Sequence, residues 1–261
     1  MAIQLNDRDH LIFKLIEEHQ VLLEKHISWF ISNDDKPVLI RDRLRKLFYL
    51  DYLLCERHPS RLPWWTTPTK PLVYMLSSMT KDAVGYQQDT SILDPEMQRH
   101  YLEVANLRML FLQSQKDGQL SDFTWTTLKD SASDCLDAIV SFRNQGESYR
   151  IGMLNHPDWA EKELVRDLNT MVERDNLDMI WVVSRDQAHQ EMLQRHLSFL
   201  AGSQSTLYRK LAFATHQEFY KEGVGSTRWT GCDERAASIW KPSTNVIPGI
   251  PMGVQASQAF A

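Results

Sequence analysis

Apolar positions recur at helical spacing from the first residues of the chain. Leu11, Ile12, Leu15 and Ile16 mark one amphipathic helix. Asn6 or Asp7 can cap it, because a short side-chain oxygen accepts the unpaired N–H groups of a first turn. A polar connection, Glu17 to Gln20, leads to a second helix running from Val21 to Phe30, with Val21, Leu22, Ile27, Trp29, Phe30 and Ile31 on its inward side. Asn33, Asp34 and Asp35 signal a turn, and Pro37 suits a first helical turn, where a missing N–H costs little. Val38, Ile40, Leu44, Leu47 and Phe48 then face inward from a third helix. Two hydrophobic segments follow, Tyr52 to Cys55 and Leu72 to Leu76. They bracket a loop broken by Pro59, Pro63, Pro68 and Pro71, which cannot be regular structure.

The pattern changes further on. Asp94 and Pro95 open a long amphipathic helix to about Gln115, with Tyr101, Leu102, Val104, Leu107, Leu110 and Phe111 as its buried face. Strand patterns follow at Phe123 to Leu128, Leu136 to Phe142 and Tyr149 to Leu154. Asp158 to Glu173 reads as a helix, Met179 to Val183 as a buried strand and Gln187 to Leu200 as a helix. Lys210 to Ala214 is another buried strand, and Gln217 to Lys221 a short helix. Two late strand–helix alternations predict a partly parallel sheet with helices on its faces. From about Ala236 to Ala261 the chain is rich in Ser, Pro, Gly and Ala and loses periodicity, as a flexible tail or a partner-dependent segment would.

Three helices followed by a hairpin is the layout of a winged helix-turn-helix, whose third helix commonly enters a DNA groove. That helix carries Arg41, Arg43, Arg45 and Lys46. Arg41, Arg45 and Lys46 are expected toward solvent, with Arg43 at the margin. The loop adds Arg57, Arg61, Trp64, Trp65 and Lys70, cations that neutralise phosphates and rings that pack on sugars. Lys36 just before the helix completes the candidate DNA-binding set; a fold-back of Trp64 and Trp65 onto the small domain is the plain alternative.

Charge alters this picture locally. The chain of 261 residues has a net charge of -5, which speaks against a nonspecific nucleic-acid coat. Residues 41–70 nevertheless hold seven Lys/Arg against three Asp/Glu. A basic segment on an acidic body fits a confined phosphate-binding surface or an ordinary solvated helix face. Hydrophobic residues at 43% and charged residues at 24% are ordinary for a globular chain. No apolar run reaches the roughly 18 residues of a membrane span, and the N-terminus has no signal-peptide pattern. Cys55, Cys135 and Cys232 are few, odd in number and far apart, which fits a reducing cytoplasm better than a disulfide framework or a cysteine zinc site.

Several segments together resemble the replication-relaxation family of plasmid and mobile-element proteins. They are Asp7-Arg8-Asp9 before the first helix, Ile40-Arg41-Asp42-Arg43-Leu44-Arg45-Lys46-Leu47, the returning strand Val73-Tyr74-Met75-Leu76, and a helix from His100 with Val104, Asn106, Leu107 and Arg108. The likeness spans roughly residues 5–230. It implies a restriction-endonuclease-like second half, whose metal site needs an Asp on one strand and an acidic-x-Lys set on the next. Asp137 stands where the first Asp belongs. The following strand, Arg150-Ile151-Gly152-Met153-Leu154-Asn155, has neither carboxylate nor following Lys, and Glu161, Lys162 and Glu163 fit a solvated helix start.

Other chemistry is thin. His189 and His196 lie two turns apart, too far to share one ion, and the glycines form no phosphate loop. The expected architecture is therefore α+β / α/β. A winged helix-turn-helix spans residues 1–88, an inactive endonuclease-like α/β domain spans 92–232, and a flexible tail spans 236–261. The expected function is non-enzymatic, sequence-specific binding of double-stranded DNA by a cytoplasmic homodimer, with no cofactor, no metal and no membrane. It would serve a bacterial plasmid or mobile element as transcriptional regulator or as replication or transfer accessory factor. A protein partner can engage the C-terminal domain or the tail. The competing readings are an adaptor whose winged helix no longer binds DNA, and a metal-dependent nuclease using Asp137.

Overall fold

The computed structural model describes residues 4–33, 38–59, 62, 64–65, 67–86, 94–128, 135–155 and 162–235. Lys36, Arg61 and the tail from 236 lie outside the described residues. Helix α1 (Asp7–His19) opens on a reciprocal cap: Asn6 accepts from the Asp9 N–H at 3.1 Å, and the Asp9 carboxylate accepts from the Asn6 N–H at 2.8 Å. Leu22–Leu23 departs from the helical expectation. It is a short strand, β1, and helix α2 starts only at Glu24 and runs to Ser32. An unbroken apolar run has no period to separate helix from strand. Pairing of Leu22 with Tyr74 and of Leu23 with Val73 decides it.

Helix α3 (Val38–Tyr49) and the hairpin β2 (Leu53–Arg57) and β3 (Leu72–Leu76) complete the first module. Its three strands lie antiparallel in the order β1-β3-β2. Ile12, Ile16, Ile27, Ile40, Leu44, Leu47, Leu53 and Leu76 fill its core. Phe48 departs from the expected inward set and is 40% exposed. A short helix, α4 (Ser78–Val84), follows the hairpin and had no clear signal in the sequence.

Helix α5 (Pro95–Lys116) is capped by Asp94, which accepts from the N–H groups of Glu96 and Met97. Beyond it, β4 (Ser121–Thr127), β5 (Ala138–Asn144) and β6 (Glu147–Asn155) form an antiparallel meander. Strands β7 (Met179–Ser184) and β8 (Leu211–Thr215) add in parallel, and β9 (Thr230–Gly231) closes the edge antiparallel. The result is a mixed six-stranded sheet in sequential order. Its layers include α6 (Lys162–Arg174), α7 (Gln187–Ala201), α8 (Thr206–Lys210) and α9 (His216–Glu222). One apolar cluster joins Phe111 of α5 to Phe142, Trp181, Phe219 and Trp229. A second joins Leu168 of α6 and Leu193 and Leu197 of α7 to Ile180, Val182 and Phe213. Gly152 of β6 is closely packed: a Cβ there would stand 2.7 Å from Leu136 Cδ1 and 3.0 Å from Leu177 Cδ1, so those side chains would have to move.

Helix α5 serves both modules. Its Ala105 belongs to the first core, its Leu102 packs with Val21, Leu23, Leu62 and Val73, and its Leu107, Leu110 and Phe111 belong to the large sheet. Polar ties follow the same seam. Arg108 donates to Glu18 Oε1 at 2.9 Å and lies 4.6 Å from the centre of the Phe30 ring. Gln98 donates to Glu56 at 2.9 Å, and Lys116 to the Asn33 carbonyl at 3.1 Å. Among the described residues, no helix is long and apolar enough to cross a membrane.

Candidate nucleic-acid interface

The inward side of α3 is set by Ile40, Leu44 and Leu47, spaced four and three residues apart and all buried. That spacing turns Arg41, Asp42, Arg45, Lys46 and Tyr49 outward. Arg45 is 60% exposed, with Asp42 at 3.9 Å. Arg41 spreads across Glu24 of α2 through Nε and Nη2, at 3.0 and 2.8 Å, yet its side chain stays 54% exposed. The Glu24 carboxylate holds the Arg41 guanidinium above its ordinary pKa. Tyr49 projects from the end of this face and is 74% exposed.

Arg43 turns the other way. Its Nε donates to Asp9 Oδ1 at 2.5 Å and its Nη2 to Asp9 Oδ2, so a fully buried carboxylate at the start of α1 holds it. This is a structural clamp between α1 and α3, made by the same Asp9 that completes the cap of α1. In the hairpin loop, Lys70 is exposed, and exposed Arg57 donates to the Lys70 carbonyl at 3.0 Å. Trp65 donates to the Thr69 carbonyl at 2.5 Å and so braces the loop internally. Trp64 folds back onto the large module, its ring 5.1 Å from Tyr220 and 6.4 Å from His216. Of the candidate set, the structure therefore brings Arg41, Arg45 and Lys46 onto one helix face and leaves Arg57 and Lys70 exposed on the loop. It commits Arg43 to the Asp9 clamp and both Trp64 and Trp65 to packing, the two rings lying against the cluster of Val21, Leu23, Leu62 and Val73, as the fold-back alternative expected.

A second polar concentration lies where the parallel strands end. Asp137 precedes β5, and its Oδ1 lies 2.6 Å from His100 Nε2 while its Oδ2 accepts the Asn155 N–H at 2.6 Å. Asn155 ends β6; it donates to Glu103 Oε2 at 3.3 Å and accepts at Oδ1 from His216 Nε2. Glu103 is almost fully buried and takes a 2.9 Å bond from Arg99. His216 Nδ1 stands 3.0 Å from the Tyr220 hydroxyl, and burial first, then the Glu103 charge, pushes that phenol well above its ordinary pKa. A cavity of about 350 Å³ opens beside this network, lined by Asp94, Glu96, Met97, Arg99, His100, Glu103 and Arg185. Among the described residues, no group of three His, Cys, Asp or Glu side chains is disposed to hold a metal ion.

The sequence reading found Asp137 and missed the rest of this network. One signal was available. Glu103 stands between Leu102 and Val104, both placed on the buried face of α5, and a carboxylate in such a run needs internal partners, which it finds in Arg99 and Asn155. The chain matches no protein-family model, no curated protein and no solved structure.

Proposed function

We propose that this chain is a sequence-specific double-stranded DNA-binding protein whose first module acts as a winged helix-turn-helix. The order α1-β1-α2-α3-β2-β3, with β1 joined to β3, supports that reading of the module. The single observation that carries the function is the outer face of α3: Arg41, Arg45 and Lys46 stand exposed on one side of a helix whose other side is locked into the core. Exposed cations on a rigid helix neutralise phosphates and release counterions, while the helix edge reaches bases. Arg57 and Lys70 extend the contact onto the wing.

One such helix reads few base pairs, so two copies on adjacent half-sites follow from the same reading. The large module then reads as an endonuclease-like core that does not cleave. Its meander β4-β5-β6 followed by parallel β7 supports the architecture, and Asn155, an amide where a second carboxylate would be needed beside Asp137, supports the loss of chemistry. The replication-relaxation likeness adds the setting, a bacterial plasmid or mobile element, with a role in transcription regulation or as a replication or transfer accessory.

Fluorescence anisotropy on duplex fragments at two salt concentrations, without magnesium, tests this. Tight, sequence-dependent binding that falls with salt is expected. Absence of binding at low salt would discard it in favour of a protein–protein adaptor, a reading that the exposed Tyr49 and Phe48 at the end of the same face would then serve.

A further inference from the structure

The cavity at the carboxyl ends of the parallel strands has no part in the DNA reading. Helix α7, which follows β7, packs Leu193 and Leu197 on one face of the sheet, whereas α9, which follows β8, packs Phe219 on the other. The chain thus leaves two neighbouring strands in opposite directions, and open sheets take ligands in the crevice at such a point. Arg185, the residue after β7, lines the cavity together with the first turns of α5. Its volume, about 350 Å³, lies at the small end of the range for small-molecule pockets. Charge in the lining is divided. Exposure falls along α5 from Glu96, which is exposed, through Arg99 and His100 to buried Glu103. The deeper groups are anchored. Arg99 donates to Glu103 through Nε at 2.9 Å, a bond that leaves the paired Nη groups of a fixed guanidinium for a ligand. Asp137 holds His100 at Nε2. The Glu103 charge is thereby answered inside the fold, and Arg99 and Arg185 form a cationic end. Asp94 and Glu96, both exposed at the start of α5, form an anionic end.

We propose that this cavity binds a small zwitterion, a free α-amino acid, with its carboxylate on Arg99 and Arg185 and its ammonium on Glu96 and Asp94. A guanidinium presents two parallel N–H donors that match a carboxylate. Glu96 and Arg99 lie three residues apart on one helix face, roughly 4.5 Å along the axis, so both charges of one small molecule can be met together. A plain anion would bring its charge beside Asp94, Glu96 and Glu103, with two guanidinium groups to offset three carboxylates. A plain cation would face Arg99 and Arg185. A molecule carrying both charges meets neither penalty. Met97, also in the lining, offers an apolar contact to the ligand's side chain. The site is independent of the DNA contacts proposed for α3.

Isothermal titration calorimetry of the full chain against each standard amino acid, at millimolar concentrations, tests it. One-to-one binding of one amino acid or a few is expected. For each that binds, the same acid without its amino group, and the same amine without its carboxylate, should bind about tenfold or more weakly, since each lacks one charged contact. Arg185→Gln, at an exposed side chain, should weaken the amino acid and the amine-free acid alike. Glu96→Gln, also at an exposed side chain, should weaken the amino acid and leave the amine-free acid as tight as before. Arg99→Lys keeps a cation for Glu103 but loses the fork, and it should weaken both acids. Thermal unfolding of the Arg185→Gln and Glu96→Gln proteins should match wild type. A chain that binds no amino acid overturns the proposal, as does an amine-free acid or inorganic phosphate that binds as tightly as the best amino acid. An amino acid that binds with an affinity indifferent to both Arg185→Gln and Glu96→Gln overturns this cavity as its site.

Discussion

The outer face of α3 and the network at the end of the parallel strands are both dense in charge, and they use it in opposite ways. Arg45 and Lys46 keep their charges in water, where pairing contributes little to stability and leaves them available to a partner. Arg99 and Glu103 pair theirs within the fold, and Asn155 and His216 complete the hydrogen bonds around them, where each group is expensive if abandoned. Arg43 and Arg45 repeat the contrast within one helix turn: the first clamps buried Asp9, the second faces solvent. Arginine count alone therefore says little about a nucleic-acid face. What matters is which side of the apolar stripe each one occupies.

The sharpest way to break this comparison is Glu103→Ala. It strips Arg99 and Asn155 of their carboxylate partner and leaves the buried His216 beside a void. A loss of about 3 kcal/mol in urea unfolding is expected, and a loss within about 0.5 kcal/mol would show that the network is loosely solvated. Arg43→Ala comes next. Asp9 keeps its Asn6 contact but loses its counter-charge, so about 2 kcal/mol should go, reduced from the fully buried case because Arg43 retains some solvent contact. The salt slope of DNA binding should stay as in wild type.

A third outcome concerns pH. His19 and His26 lie buried at the seam; desolvation, helped by the Arg108 charge, holds His19 well below its ordinary value, and desolvation, opposed by the nearby Asn106 amide, which favours the charged ring, holds His26 at about 3. Their folded pKa values are depressed, so the unfolded chain binds more protons as pH falls through about 6.5. Stability contributed by the neutral rings is complete above that pH and is lost below it, at up to roughly 1.4 kcal/mol per pH unit for each histidine. Urea midpoints between pH 7.5 and 5.5 should fall accordingly, and His26→Gln should flatten the slope. The smallest effect on the fold is that of Arg45→Ala: stability unchanged within about 0.5 kcal/mol, DNA binding weaker, and its salt slope reduced by about one. An unchanged slope would remove Arg45 from the phosphate contacts.

Much of the framework was legible because local signals and tertiary packing agree. Asn6 caps α1 and Asp94 caps α5 as their side chains predict, and the hairpin falls on its two apolar runs. The failures share a cause. Val21-Leu22-Leu23 has no period, and only pairing with β3 makes a strand of its last two residues. Phe48 follows Leu44 at helical spacing but falls at the edge of the stripe set by Ile40, Leu44 and Leu47, on the side of exposed Arg41, and is 40% exposed. Asp137 stood out as a lone carboxylate, yet its partners His100 and Asn155 are distant in sequence and meet it only after the sheet forms. Local patterns cannot encode such meetings: they offered the fold-back of Trp64 and Trp65 onto the small domain, where both rings pack against Val21, Leu23 and Val73, but not the contact of Trp64 with Tyr220.

The sharing of α5 between two cores bears on how the first module could be moved. Cut from the chain before Asp94, it would carry Val21, Leu23 and Val73 into solvent without Leu102 above them, and Glu18 without Arg108. A fragment of that kind would be sticky, and its failure to bind a target would say nothing about α3. A transferable version must keep the helix through Lys116 and replace Leu107, Leu110 and Phe111 with polar residues. Only then does the helix that holds the two halves together become a lid for one of them.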